Sequence, residues 1–171
     1  MAFSYGFFKE EVKEYLKSKF NGNAKVLDVG AGCGTYWNLL KDTFRRIDAV
    51  EVFKPNITNY KLMSKYRKVY YANIKDFKYK FYDIIIFGDI IEHLDINEAQ
   101  EVLKYAYNRC NEMIVAVPYR MEQGIAEGNI YEIHKQADLT PENVIERYPF
   151  LKLLYKNKLY GYYVKNEKNC C

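Results

Sequence analysis

The sequence predicts a doubly wound α/β fold, in which helices cover both faces of a mainly parallel β-sheet. Short apolar runs typical of strands alternate with stretches of helical periodicity along most of the 171 residues. One run, residues 81–87, is apolar at nearly every position, as in a strand buried on both faces of a parallel sheet. A glycine-rich segment at 30–34 follows another apolar run, where such folds place a strand-to-helix turn.

The elements of residues 1–118 follow from hydrophobic periodicity and from breaker residues. Residues 7–20 carry apolar side chains at spacings of three and four, which predicts an amphipathic helix that Asn21-Gly22-Asn23 ends. The alternation then predicts βαβ units. Strands are predicted at 25–30, 46–52, 68–72, 81–87 and 112–117, and helices at 35–43, 55–66 and 97–111.

The C-terminal part is predicted to contain a long loop, a helix and a hairpin. Residues 119–137 lack clear periodicity, and long loops in compact domains are usually functional or mobile. Thr140 has the character of a helix N-cap, and Pro141 suits the first helical position. Residues 151–164 are predicted to form two strands joined by a turn at 156–158.

Composition excludes several classes of protein. Hydrophobic residues make up 49% and charged residues 28%, which excludes intrinsic disorder, and no stretch approaches the length of a membrane span. The net charge of +4 comes mostly from scattered Lys, which makes nucleic-acid binding unlikely. No signal peptide is expected. The four Cys lack the spacing of a zinc site or a disulfide framework, so we expect a reducing, cytoplasmic location.

The glycine segment Asp28-Val29-Gly30-Ala31-Gly32-Cys33-Gly34 carries the clearest functional signal. Glycines allow close approach of the backbone to a ligand, and the following helix N-terminus offers free N–H donors. A dinucleotide fingerprint would need its third glycine at position 35, which is Thr35. The observed D-x-G-x-G-x-G pattern resembles motif I of the class I S-adenosylmethionine-dependent methyltransferases.

Later segments extend this resemblance over about residues 24–165. Glu51 ends the second predicted strand, where a carboxylate can accept both ribose hydroxyls and would repel a ribose phosphate. Asn73-Ile74 resembles the stretch that contacts adenine, with Asn73 in place of the usual Asp. Residues 88–94 resemble the segment after the fourth strand in small-molecule and glycan O-methyltransferases.

The resemblance implies a Rossmann-like methyltransferase fold with a seven-stranded sheet and an antiparallel C-terminal strand. It implies one domain over 1–171, with an N-terminal helix (1–23), a cofactor-binding half (24–118), a substrate loop (119–137) and a C-terminal helix and hairpin (138–165). The resemblance also implies S-adenosylmethionine as the cofactor. The predicted cofactor-binding residues are Asp28, Gly30, Ala31, Gly32, Gly34, Glu51, Val52, Asn73, Ile74 and Asp89. For Asp28, a structural role as acceptor for the loop's own N–H groups is the favoured interpretation.

The two histidines are the candidate catalytic residues. His93 lies just beyond the fourth strand, and His134 lies in the loop after the fifth, so both are expected at the carboxyl edge of the sheet. Either is a candidate general base for an oxygen nucleophile. Glu132 is a candidate for orienting His134 or contacting substrate. Asp89, Glu92 and His93 match no metal-ligand spacing, so no metal site is predicted.

The favoured function is methylation of a small-molecule or sugar acceptor, on oxygen. Nucleic-acid methylation is an alternative, although Gly88-Asp89-Ile90-Ile91 stands where amino-methylating DNA enzymes carry an Asp/Asn-Pro-Pro-aromatic motif. A non-catalytic adaptor that keeps the cofactor pocket is another. The chain carries no large cap domain, so the acceptor must contact the first helix, residues 119–137 or a second subunit, in a homo-oligomer or with a partner.

Overall fold

Seven strands form one sheet with helices on both faces. The structure, a computed structural model, describes residues 5–166. The strands are β1 (Lys25–Val29), β2 (Arg46–Glu51), β3 (Lys68–Tyr71), β4 (Tyr82–Gly88), β5 (Cys110–Pro118), β6 (Leu151–Lys156) and β7 (Tyr160–Lys165). The helices are α1 (Lys9–Lys19), α2 (Thr35–Leu40), α3 (Lys54–Asn59), α4 (Leu62–Lys65), α5 (Ile96–Tyr107) and α6 (Pro141–Arg147). Short 3-10 turns occupy Ile91–His93 and Ile130–Glu132.

The strand order across the sheet is β3-β2-β1-β4-β5-β7-β6. The first five strands pair in parallel, whereas β7 runs antiparallel to both β5 and β6. The predicted mainly parallel, seven-stranded sheet with an antiparallel C-terminal strand is therefore confirmed. Because the five parallel strands share one direction, the segments that follow them meet at a single edge.

Strand β4 lies at the centre of the sheet and contributes to both of its faces. Ile85 and Phe87 pack in one buried cluster, and Ile84 and Ile86 pack in the other. All four side chains are fully buried. Successive side chains of a strand point to opposite faces, so the near-continuous apolar run of this strand fills both cores.

Helix boundaries differ from the predicted ones most clearly in two places, and α2 also ends at Leu40 rather than at residue 43. The helix predicted at 55–66 is divided into α3 and α4 by Lys61, which has a left-handed backbone with φ of 53°. After this break Leu62 is fully buried in the core. The helix predicted to reach 111 ends at Tyr107, because β5 begins at Cys110 and pairs there with Tyr82 of β4. Tertiary pairing overrides local helical propensity at this boundary.

The predicted start of the last helix is confirmed by its capping geometry. The Thr140 hydroxyl accepts a hydrogen bond from the Asn143 N–H at 3.3 Å, and the Asn143 side chain accepts one from the Thr140 N–H at 2.7 Å. Pro141 occupies the first turn, where its missing N–H costs no hydrogen bond. Within residues 5–166, the helices are all too short and too polar to cross a membrane.

Candidate active site

A cavity of about 360 Å³ opens at the carboxyl edge of the five parallel strands. This volume lies in the range of small-molecule sites, and the edge is where open α/β sheets bind ligands. Segments that follow each of the five strands contribute to its wall. Ten of the predicted site residues line it: Gly30, Ala31, Gly32, Glu51, Val52, Asn73, Ile74, Asp89, His93 and His134.

The glycine loop has a backbone that other residues cannot adopt without strain. Gly30, Gly32 and Gly34 all have positive φ, at 69°, 52° and 87°. A Cβ on Gly30 would also come within 2.0 Å of the Ile90 side chain. Gly30 is therefore required twice, by the backbone conformation of the turn and by the packing of the segment after β4.

Glu51 connects this loop to the end of β2. Its side chain is 3% exposed and accepts hydrogen bonds from the N–H groups of Gly32 and Phe53, each at 2.8 Å. A carboxylate has about four acceptor positions. The remaining two are available on the cavity wall, which matches the need to hold a pair of ribose hydroxyls.

Two predicted cofactor residues, Asp28 and Gly34, lie outside the lining of the cavity. The Asp28 carboxylate accepts a hydrogen bond from the Tyr66 hydroxyl and is 1% exposed. Burial raises the pKa of Asp28 to about 7. Gly34 faces the side chain of Lys65, which would lie 3.2 Å from an added Cβ. Neither residue lines the cavity, so a direct contact of either one with cofactor stays a prediction.

The two histidines meet in the same cavity, in the segments that follow β4 and β5. Their ring centroids lie 4.8 Å apart, with the planes at 69°. His93 Nδ1 lies 3.3 Å from the Ile133 carbonyl oxygen, and His134 Nδ1 lies 2.7 Å from that of Met121. A carbonyl only accepts, so each Nδ1 carries the proton in the neutral ring. Each Nε2 therefore keeps a free lone pair.

Residues 119–137 reach the histidine pair because their backbone is docked on the turn after β4. The N–H groups of Lys135 and Gln136 both donate to the Glu92 carbonyl, at 2.8 and 3.0 Å. The Gln136 side chain donates to the carbonyls of Ile91 and Leu94, at 2.8 and 3.0 Å. These four bonds position His134 beside His93.

Burial sets the protonation states of this region. It lowers the pKa of His93 to about 4, with a further contribution from the adjacent His134, and it also lowers the pKa of His134. Burial raises the pKa of Glu92 well above its ordinary value, and the nearby Asp89 raises it further. The two imidazoles are therefore neutral at pH 7.

The wall of the cavity is acidic. Glu51, Asp89, Glu92 and Glu132 all line it. The lysines at its margin are paired, since Lys75 contacts Glu98 at 2.6 Å and Lys135 contacts Asp95 at 2.9 Å. A lining of this charge favours a cationic ligand or a neutral acceptor over an anionic one.

Some lining residues carried a weak sequence signal or none. Glu132, a candidate from the sequence, lines the cavity, as do Tyr5 and Cys33, and Tyr5 also packs against Tyr160 with ring centroids 5.6 Å apart. Glu92 was considered in the sequence only as part of a possible metal cluster with Asp89 and His93, which was not predicted to bind metal. The loop residues that sequence reasoning missed are Met121, Gln123, Asn129, Ile130, Tyr131, Ile133 and Lys135. Their one available signal was membership of the loop after the fifth strand.

Comparisons with known proteins identify the fold. No protein-family model and no curated protein sequence matches the chain. Among solved structures, a methyltransferase from Clostridium acetobutylicum ATCC 824, described as S-adenosylmethionine-dependent, superposes with a TM-score of 0.72 at 12% identity, over 95% of this chain and 92% of that one. Magnesium protoporphyrin IX methyltransferase from Synechocystis PCC 6803, with S-adenosylmethionine bound, gives 0.64 at 11%, over 92% and 78%.

A further solved structure has higher sequence identity. The methyltransferase domain of a bacterial Hen1 protein matches with a TM-score of 0.65 at 23% identity, over 92% of this chain and 96% of that domain. At these identities the likeness concerns architecture. The chain has the fold of the S-adenosylmethionine-dependent methyltransferases.

Proposed function

We propose that this chain is an S-adenosylmethionine-dependent methyltransferase that methylates a hydroxyl group of a small-molecule or sugar acceptor. The observation that carries the proposal is the composition of one cavity. The glycine loop and Glu51 line it where β1 and β2 end, and the histidine pair lines it beyond β4 and β5. A cofactor held by the loop and Glu51 would lie in the same cavity as the histidines.

The residues around Glu51 fit this cofactor. The free acceptor positions of the Glu51 carboxylate suit the two ribose hydroxyls, and its charge opposes a ribose phosphate. The backbone of Gly30 to Gly32, together with Val52, Asn73 and Ile74, would surround the rest of the ligand. The acidic wall suits a ligand that carries a sulfonium and an ammonium group. The Synechocystis structure, which has this fold, was solved with S-adenosylmethionine bound.

When bound, S-adenosylmethionine supplies an electrophilic methyl group. The chain's own residues then have three tasks. They hold the acceptor in line with that methyl. This positioning alone can lower the activation barrier by roughly several kcal/mol. The cavity keeps water from the reacting atoms. The histidine pair, with its free Nε2 lone pairs, receives the proton that the acceptor hydroxyl loses.

A small, uncharged acceptor fits the cavity better than a nucleic acid does. Acidic side chains such as Glu51 line the cavity, and an ionised carboxylate there would repel a phosphate backbone. Residues 119–137 supply the wall beside the histidines, so this loop would contact the acceptor. We also propose a cytoplasmic location, which agrees with the free thiols of Cys33 and Cys110. A second subunit at the site stays a prediction.

The test is calorimetric titration of the purified protein with S-adenosylmethionine, S-adenosylhomocysteine and NAD. We expect saturable binding of the two sulfur compounds and none of NAD. Protein that binds cofactor is then incubated with radiolabelled S-adenosylmethionine and panels of sugars and other hydroxylated metabolites.

Failure to bind either sulfur compound would overturn the proposal. Binding without turnover until a partner chain is added would instead support an adaptor. Transfer to RNA or DNA, with steep salt dependence, would support a nucleic-acid substrate.

A further inference from the structure

Glu92, His93 and His134 form a compact cluster of potential ligand atoms in the wall of the cavity. One such atom from each residue lies within 4.8 Å of the others. Around a single ion with bonds of about 2.1 Å, ligand atoms lie about 3–4 Å apart. Binding of an ion would therefore draw these side-chain atoms closer together.

The Glu92 carboxylate is a buried acid that lacks a partner. Its side chain is 1% exposed, and neither oxygen forms a hydrogen bond with another residue in the part of the chain that the structure describes. Burying a carboxylate is costly unless it is paired or coordinates a metal. A cation within the cluster would compensate this group.

The histidines are held as metal-binding histidines usually are. A ligating imidazole typically donates its second N–H to a backbone carbonyl or carboxylate, which orients the ring and selects the tautomer. Both rings have this arrangement, with Nδ1 at the carbonyls of Ile133 and Met121. Both Nε2 atoms are left as ligands.

We propose that Glu92, His93 and His134 bind a divalent first-row transition-metal ion at the acceptor end of the cavity. Two imidazole nitrogens and one carboxylate favour ions such as Mn²⁺, Fe²⁺, Co²⁺ or Zn²⁺ over Ca²⁺ and Mg²⁺, which prefer sites built from oxygen. Three protein ligands leave further coordination positions open. These positions face the same cavity that Glu51 lines.

The fold creates this site from two separate segments. The sequence placed Asp89, Glu92 and His93 together without a recognised ligand spacing, and it left His134 far along the chain. The hydrogen bonds from Lys135 and Gln136 to the Glu92 carbonyl bring His134 next to His93. The third ligand is therefore a consequence of loop docking.

The metal would change how the acceptor loses its proton. An acceptor hydroxyl bound to the ion would have a lowered pKa and a fixed position, and its proton would pass to bulk water. The histidines would then hold the ion, in place of the free-base role given above. This role in catalysis rests on the proposed methyltransferase function. The metal site itself does not, and it can be tested with no cofactor or acceptor present.

The experiment is a Co²⁺ titration of tag-free protein that has first been treated with a chelator and desalted. We expect one equivalent of Co²⁺ to bind, with visible absorption bands and a calorimetric signal that saturates at the same ratio. The chain contains only two histidines. Proton NMR of the Co²⁺ protein should therefore show two shifted imidazole N–H signals that disappear in D₂O.

Variants identify the ligands. Glu92→Gln and His134→Ala should each weaken Co²⁺ binding by more than about 100-fold, because outer partners of ligands alone contribute roughly 10–100-fold. Glu132→Gln is the matched control, since this side chain lines the same cavity but bonds to Asn129 and Gln123. It should bind Co²⁺ as the wild type does. Circular dichroism verifies that each variant is folded.

Absence of saturable Co²⁺ binding by the wild type would overturn the metal site, as would Co²⁺ binding without shifted imidazole signals. The NMR result needs no variant, so it decides even if Glu92→Gln does not fold. Co²⁺ binding by a protein that fails to bind S-adenosylmethionine would support the metal site and contradict the proposed function. Cofactor binding without Co²⁺ binding would contradict the metal site and leave the proposed function standing.

Discussion

Glu51 has two roles that depend on the same carboxylate. It accepts the N–H groups of Gly32 and Phe53, and it keeps two acceptor positions on the cavity wall. The first role holds the glycine loop against β2, and the second is the proposed contact with ribose. A substitution at this position therefore has to be assayed for both the stability of the fold and the affinity for cofactor.

We expect Glu51→Ala to weaken binding of S-adenosylmethionine by about 1–3 kcal/mol, the amount associated with loss of hydrogen bonds to a charged group. Calorimetry measures the affinity. Thermal unfolding of the unliganded variant measures how much the hydrogen bonds from Glu51 to the loop contribute to stability. Glu101→Ala, on the exposed side of α5, is the control and should bind like the wild type. An unchanged affinity in Glu51→Ala would remove this residue from the cofactor site.

Asp28 gives the unfolding free energy a dependence on pH. Burial raises its pKa to about 7 in the folded protein, from an ordinary value of 3.8, while Glu51 raises it and Tyr66 and Lys9 oppose the shift. Between these values the folded protein holds a proton that the unfolded chain has released. The contribution of Asp28 to stability is therefore full below about pH 4 and decreases as the pH rises to about 7.

We expect Asp28→Asn to remove this decrease, because the amide does not ionise and its oxygen can still accept the Tyr66 hydroxyl. Urea unfolding at several pH values between 4.5 and 8, in steps of about one unit, compares the two proteins. The difference in unfolding free energy should shift in favour of the variant as the pH rises. A constant difference across this range would contradict the assignment.

At the scale of elements, Gln136 connects residues 119–137 to two neighbours. Its amide N–H groups donate to the carbonyls of Ile91 and Leu94, and its oxygen accepts from Tyr148 at 2.9 Å and Arg147 at 3.1 Å. The residue is 3% exposed. The loop, the 3-10 turn after β4 and helix α6 are therefore held together by one side chain.

We expect Gln136→Ala to lower the free energy of unfolding by about 2–4 kcal/mol, because it leaves several buried polar groups without partners. Denaturant unfolding measures this loss. Glu122→Ala, an exposed change in the same loop, should leave stability unchanged within about 0.5 kcal/mol. A Gln136→Ala variant as stable as the wild type would mean that this loop is held by other contacts.

At the scale of the whole molecule, the two buried clusters share one sheet. The side chains of β1, β4 and β5 alternate between the clusters, so neither can lose its packing without exposing the other face of the same strands. The parallel pairing of β1 with β2 and β4 also links residues that lie far apart in the chain. This arrangement favours unfolding as one unit.

We expect one cooperative unfolding transition. Trp37, the single tryptophan, packs against one of the two clusters, and far-ultraviolet circular dichroism reports the whole chain. The two signals should have coincident midpoints in urea. Separate midpoints would show that the two sides of the sheet unfold independently, which would contradict the prediction of a single domain.

Much of the fold was predictable because its signals are local. Periodicity located all seven strands, and Thr140 and Pro141 marked the start of α6. The break at Lys61 and the early end of α5 were not predictable, since each depends on contacts with distant residues. The glycine loop and Glu51 were found from spacing, and a structural role was favoured for Asp28, but the position of Gly34 outside the cavity lining was not foreseen.

The sequence by itself determined the α/β class, the cofactor-type loop and the edge of the sheet where ligands would bind, because patterns of apolar, glycine and capping residues act over a few positions. Only the tertiary structure decided that His134 stands beside His93 and that the buried Glu92 joins them. The physical reason is that their meeting depends on backbone hydrogen bonds between two segments distant in the chain. No local pattern records such bonds.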